Sequence, residues 1–156
     1  MDRKVVVIVL ICIIIIGVGV FVYDNNNLNS NNLFRVGSTD FKLPENYFVG
    51  SPNQFGAVNI TDGEHSIFLV EYNDTNLTKH INEYQKFIKN KNQTMGVLNF
   101  TVDGISIHKT FNVDNPNNAH YWVVKNKKTY DIYKWDENPK MDYIVSELVK
   151  SSNSSS

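Results

Sequence analysis

Residues 119–135 read AHYWVVKNKKTYDIYKW. Polar Asn126-Lys127 sits between two runs that alternate side to side, the pattern of a β-hairpin closed by a two-residue turn. Pairing across that turn sets Trp122 opposite Asp131 and His120 opposite Tyr133. Tyr121, Val123, Tyr130 and Ile132 then share one face. His120, Trp122, Asp131, Tyr133 and Trp135 share the other. Both faces carry large side chains, so the second face is either a binding surface or a second core layer.

Upstream, Val97–Val113 repeats the pattern around Asp103-Gly104. Val102 falls opposite Ile105 and Phe100 opposite Ile107. Thr101 with Ser106 and Asn99 with His108 fill the other, polar face, so the register is self-consistent. Ser66–Tyr72 (SIFLVEY) is apolar on both faces, as in a central strand. Phe34–Ile60 supplies two or three short strands around a Leu43-Pro44 turn. Two stretches have helical rather than strand period. Asn76–Lys91 spaces Leu77, Ile81, Tyr84 and Ile88 along one stripe, with Asn73, Asp74 or Thr75 available as N-cap. Pro139–Lys150 presents Met141, Ile144, Val145 and Leu148, with Asn138 as cap and Pro139 in the first turn. The order strands, helix, two hairpins, helix predicts an α+β fold: an antiparallel sheet of about six strands packed by two helices.

FKLPENYFV (41–49) resembles the Phe-x-Leu/Ile-Pro-x-x-Trp/Tyr opening of Mog1/PsbP-like domains. YWVVKNKKTYDIY (121–133) and a closing helix ending ELVKSS resemble the end of that fold. The resemblance covers residues 34–152 and implies an antiparallel sheet with helices packed on it, an α-β-α sandwich. It also implies company with secreted or membrane-anchored prokaryotic members, and with adaptor or assembly subunits rather than enzymes. No motif carries over a photosystem or nuclear-transport role.

The other end of the chain sets location. Val5–Tyr23 has no charge and would span roughly 28 Å as a helix, the depth of a bilayer's hydrocarbon core. It has no polar stripe of the kind a helix in a small soluble domain needs. Arg3 and Lys4 precede it, which predicts residues 1–4 in the cytoplasm, a single-pass transmembrane helix at 5–23, and the remainder outside the cell membrane. A cleaved signal peptide is the alternative. Its apolar region usually runs to about 15 residues before a small-x-small site, whereas here apolar residues continue past Gly17-Val18-Gly19. Cys12 is not a lipoprotein cysteine, because Ile11 stands where a small residue is required. Residues 24–33, beginning DNNNLNSNN, and residues 151–156 (SSNSSS) are too polar to fold. They read as a linker and a disordered tail around an outer domain at 34–150.

Cys12 is the only cysteine, so the outer domain is predicted without disulfide, thiol nucleophile or thiolate metal site. Of 15 basic and 16 acidic residues, Arg3, Lys4 and Asp2 precede residue 24, which leaves the remainder slightly acidic. That balance argues against a nucleic-acid partner. His65, His80, His108 and His120 form no H-x-x-x-H or H-x-H pair, and no metal or cofactor is expected. His80 with Glu83 has a ligand's spacing but reads as a solvated pair at the edge of the helix stripe. No serine lies in a nucleophile elbow, and the glycines are scattered at turns rather than gathered into a phosphate loop. Asn59, Asn73, Asn76, Asn92, Asn99 and Asn153 each open an Asn-x-Ser/Thr triplet, an N-glycosylation signal in an extracytoplasmic protein. Asn73 and Asn76 are too close to be modified together.

One constellation stands out as a candidate binding face: His120, Trp122, Asp131, Tyr133 and Trp135. If a helix covers it, the same residues are a second core layer. The expected function is a membrane-anchored extracytoplasmic binding or envelope-associated module, not an enzyme, with a membrane or envelope protein as partner. The alternative is a small-ligand carrier or a hydrolase-type enzyme using a cleft on the sheet.

Overall fold

A computed structural model describes residues 32–134 and 138–150. The predicted transmembrane helix at 5–23, Trp135, Asn153 and the 151–156 tail lie outside the described residues. Among the described residues, no helix is long and apolar enough to cross a membrane.

Nine strands and two helices alternate along the described chain. The strands are β1 (Leu33–Val36), β2 (Thr39–Lys42), β3 (Phe48–Gly50), β4 (Val58–Thr61), β5 (Ser66–Tyr72), β6 (Met95–Val102), β7 (Ile105–Asn112), β8 (Asn115–Lys125) and β9 (Lys128–Lys134). Helix α1 (Leu77–Asn90) follows β5, and α2 (Met141–Val149) follows β9. The fold is α+β. Its main sheet has seven antiparallel strands in the order β3-β4-β5-β9-β8-β7-β6, and β1–β2 form a separate two-stranded sheet.

The chain centres on the β8–β9 hairpin. Trp122 pairs with Asp131 and His120 with Tyr133, as the alternation requires. Asn126 and Lys127 both adopt positive φ, at 50° and 60°, which is the backbone of a type I′ turn matched to strand twist. The β6–β7 hairpin keeps its expected register, Val102 with Ile105 and Phe100 with Ile107.

Several expectations need correction. The sheet has seven strands rather than about six, and residues 33–61 supply four strands rather than two or three. The extra turn is at Gly37, in a left-handed conformation (φ 57°). A side chain there would strike the Glu71 carboxylate, so only glycine lets β1 double back onto β2. Because Leu33 is already in β1, paired with Lys42, the domain begins inside the expected linker. Finally, α2 starts at Met141. Asn138 precedes it as a turn-former, its Oδ1 accepting the Lys140 N–H at 3.0 Å, and Lys140 occupies the cap position without a side-chain bond. The cap of α1 is Asn76, whose side chain accepts the Lys79 N–H, not one of the three residues before it.

The two helices lie on opposite faces of the sheet. Met141, Ile144, Val145 and Leu148 of α2 pack with Ile67, Leu69, Tyr121, Val123, Tyr130 and Ile132 in one buried cluster. The β1–β2 hairpin closes the same cluster with Phe34, Val36 and Phe41. Helix α1 covers the opposite face, against β8 and β6.

Candidate functional site

Strands β8 and β9 set His120, Trp122, Asp131 and Tyr133 side by side beneath α1. They do not form an open surface: Trp122 is 3 % and Asp131 4 % exposed. Trp122 Nε1–H donates to Thr110 Oγ1 at 2.8 Å, which satisfies the one polar atom that a buried indole carries. His120 Nδ1 lies 3.0 and 2.9 Å from the two Asp131 oxygens. An ionised carboxylate only accepts, so Nδ1 carries the proton. Asp131 thereby gains the partner a buried charge requires, and the His120 ring is fixed in place. Tyr133 accepts a bond from Asn53 Nδ2 at 3.2 Å, and its ring stacks on His120 at 5.1 Å and on Phe68 at 5.6 Å. Trp135 lies outside the described residues.

Helix α1 adds groups to this layer. Tyr84 sits 4.2 Å from the His120 ring. His80, expected as a solvated surface group, is buried at 5 % exposure. Its ring lies 4.1 Å from Tyr72 and nearly parallel to Trp122 at 6.3 Å. Its Nε2–H donates to Asp74 Oδ1 at 2.9 Å, while Glu83 stands 3.9 Å from Nδ1. The misreading has a physical cause. An aliphatic stripe centred on Leu77, Ile81, Tyr84 and Ile88 leaves His80 at its margin, but Tyr72 and Trp122 form a platform wider than that stripe. The available signal was the i, i+4, i+8 series His80, Tyr84, Ile88.

Electrostatics follow burial. The phenols of Tyr72 and Tyr84 are pushed up to about 12, by burial first and by the Asp131 charge second. Burial also raises Tyr133. Asp74 is held below the usual carboxylate range, by the Asn76 backbone N–H first and the His80 side chain second.

The layer combines two imidazole–carboxylate pairs with a continuous set of rings. Chemically, an Nδ1-protonated His120 offers Nε2 as a base, with its ring oriented by Asp131. The Thr110 hydroxyl in this network already accepts from Trp122. Among the described residues, no three His, Cys, Asp or Glu side chains gather closely enough to hold a metal ion.

The glycosylation triplets differ in access. Asn92 is exposed in the turn after α1 (φ 55°). Asn73, Asn76 and Asn99 are exposed as well. Their side-chain oxygens are engaged by Lys128, the Lys79 N–H and His108 respectively. Asn59 is half-buried in β4 and its Oδ1 is shut away from solvent. Asn153 lies outside the described residues.

Comparison with protein-family models gives no match, and comparison with curated proteins gives none either, so the resemblance to Mog1/PsbP-like domains stands on its quoted motifs alone.

Proposed function

We propose that this chain is a single-pass membrane protein that holds a small α+β domain of Mog1/PsbP-like kind outside the membrane. The domain acts there as a non-catalytic binding or envelope-associated module. The observation that carries the non-catalytic part is the closure of the ring layer. The residues that would line a reaction cleft are packed under α1, with Trp122 at 3 % exposure. Anchoring rests on the uncharged run Val5–Tyr23 and the basic pair before it.

The test has two arms. Protease added to intact cells, with any wall removed, is expected to digest the domain; protection until the membrane is broken overturns the topology. The tagged intact protein, solubilised and recovered, is expected to bring down a defined membrane or envelope protein and to show no turnover of ester, phosphoester or glycoside panels. Turnover lost in His120→Ala would replace this reading with the second one.

That second reading is a ligand carrier or hydrolase-type enzyme. It is favoured by one feature: the His120 side chain keeps 20 % exposure while paired to Asp131, the arrangement of an oriented base at a wall of the layer.

A further inference from the structure

The two ends of the main sheet are unlike. At one end β3 has three residues; at the other β6 has eight. Long edge strands are usually guarded by lysine, proline, a bulge or a covering element, because their outward amides invite another strand. Residues 95–102 (MGVLNFTV) contain no charge and no proline, and their pairing with β7 runs without a register shift from Met95 to Val102. Exposed apolar groups gather at this same margin. Val97 is 53 % and Leu98 51 % exposed, on opposite faces of the sheet. Beside Leu98, a groove of about 330 Å³ runs between β6 and α2, lined by Phe100, Asp142, Tyr143 and Ser146. Tyr143 at its lip is 64 % exposed.

We infer that β6 is a homodimerisation strand, and that it pairs antiparallel with β6 of a second copy of this chain about a two-fold axis at Asn99. This inference goes beyond the proposed function and does not depend on where the domain sits. Three observations select a second copy over another partner. First, the directions of the backbone groups are fixed. Asp103 and Gly104 form a two-residue turn with positive φ at both positions, so Val102 and Ile105 are a hydrogen-bonded pair and bonding to β7 alternates from there. Val102, Phe100 and Leu98 face β7; Thr101, Asn99 and Val97 direct their N–H and C=O outward. The Val113 N–H bond to the Thr94 carbonyl at 2.9 Å fits this alternation. Met95 belongs to the same outward set, and of the registers this alternation allows, the one centred on Asn99 sets Asn99 against itself and Val97 against Thr101. Second, that axis brings Leu98 opposite Phe100 of the other copy, twice, on the α2 side, and Val97 opposite Thr101, twice, on the α1 side. A charge-free strand meets its own copy without like-charge repulsion. Third, the other edge, β3, is too short to continue the sheet, so pairing stops at two and no filament grows. Asn99 also opens a glycosylation triplet. A sugar there would stand on the axis, so modification and pairing exclude one another.

The test uses the full chain in detergent, produced without glycosylation. Sedimentation equilibrium is expected to give a dimer at micromolar concentration. Val97→Lys and Leu98→Lys are each expected to weaken it at least tenfold with an unchanged melting curve, whereas Phe55→Lys, at an exposed site in the β3–β4 connection, should leave it intact. In a Cys12→Ser background, Asn99→Cys should cross-link on mild oxidation, since paired Cα atoms about 5.5 Å apart suit a disulfide. Ser106→Cys on β7 should not. A monomeric wild type overturns the inference. So does a dimer indifferent to both lysines, which would be held elsewhere, for example through residues 5–23. Cross-linking at Asn99 no faster than at Ser106 overturns the register and the axis.

Discussion

One sheet separates two differently built interiors. Under α2 the contacts are aliphatic, with Ile67, Leu69, Val123 and Ile132 almost fully buried against Val145 and Leu148. Its aromatic members follow the same logic: Phe41 meets Tyr130 edge-on at 4.9 Å. Under α1 the contacts are rings and charges, with His80, Trp122, His120 and Asp131 tied by directional bonds. The first interior is stabilised by area removed from water and tolerates small shifts. The second depends on partners, because each buried polar atom there is costly once unpaired. Stability should therefore respond to volume and charge on one side and to loss of a bonding partner on the other.

The largest effect is expected on the aliphatic side. Val145 is wholly buried in α2, so Val145→Asp places an unpaired charge in hydrocarbon surroundings and should abolish cooperative unfolding in a denaturant titration. The gentler Ile132→Ala should cost about 2–5 kcal/mol. A cooperative transition retained in Val145→Asp would show that α2 is dispensable to the core.

Trp122→Ala comes next, at about 3–5 kcal/mol, because the indole is enclosed and Thr110 Oγ1 loses its donor. A loss below about 1 kcal/mol, the range of surface changes, would show that α1 leaves this face open in solution and would reopen it as a binding surface. His120→Ala should cost less, about 1–3 kcal/mol, since its ring is partly exposed while the Asp131 it leaves behind is not. A double-mutant cycle of His120→Ala with Asp131→Ala should show coupling. Additive losses would mean that the pair contributes only packing.

The aliphatic interior was the more legible of the two. Period-2 alternation in residues 119–135 and a period-3.6 stripe in 139–150 mark the same buried set, because area burial depends only on which side chains are large and which way they point. The ring layer was half legible. Alternation gave the pairings of Trp122 with Asp131 and His120 with Tyr133, but it carries no information on what lies above them. His80 was missed because its burial depends on Tyr72, the last residue of β5 and five residues before α1, and on Asp74 in the turn itself. The β1–β2 excursion was hidden for a similar reason. It rests on one left-handed glycine over a distant carboxylate, Gly37 over Glu71, with no local period to reveal it.

The smallest effect should sharpen the comparison most. Tyr72 and Tyr84 on the ring side, and Tyr130 on the aliphatic side, all ionise near pH 12, against about 10 for a free phenol. Burial is the leading cause in each. A folded-state value raised above the unfolded one means that these phenols favour the native state fully below about pH 10, and that this contribution is lost as pH rises toward 12. The secondary causes differ by side. The Asp131 charge adds to Tyr72 and Tyr84, whereas Glu71, bonded to the Tyr130 hydroxyl at 2.7 Å, adds to Tyr130. Asp131→Asn should therefore lower the Tyr72 and Tyr84 midpoints, read from tyrosine ring-carbon resonances during an alkaline titration, and leave Tyr130 where it was. The shift should be the lesser part of the total displacement, because burial is unchanged. Equal movement of Tyr130 would mean that the substitution loosens the whole sheet rather than removing a charge from one side of it, and the two interiors would then be electrostatically one.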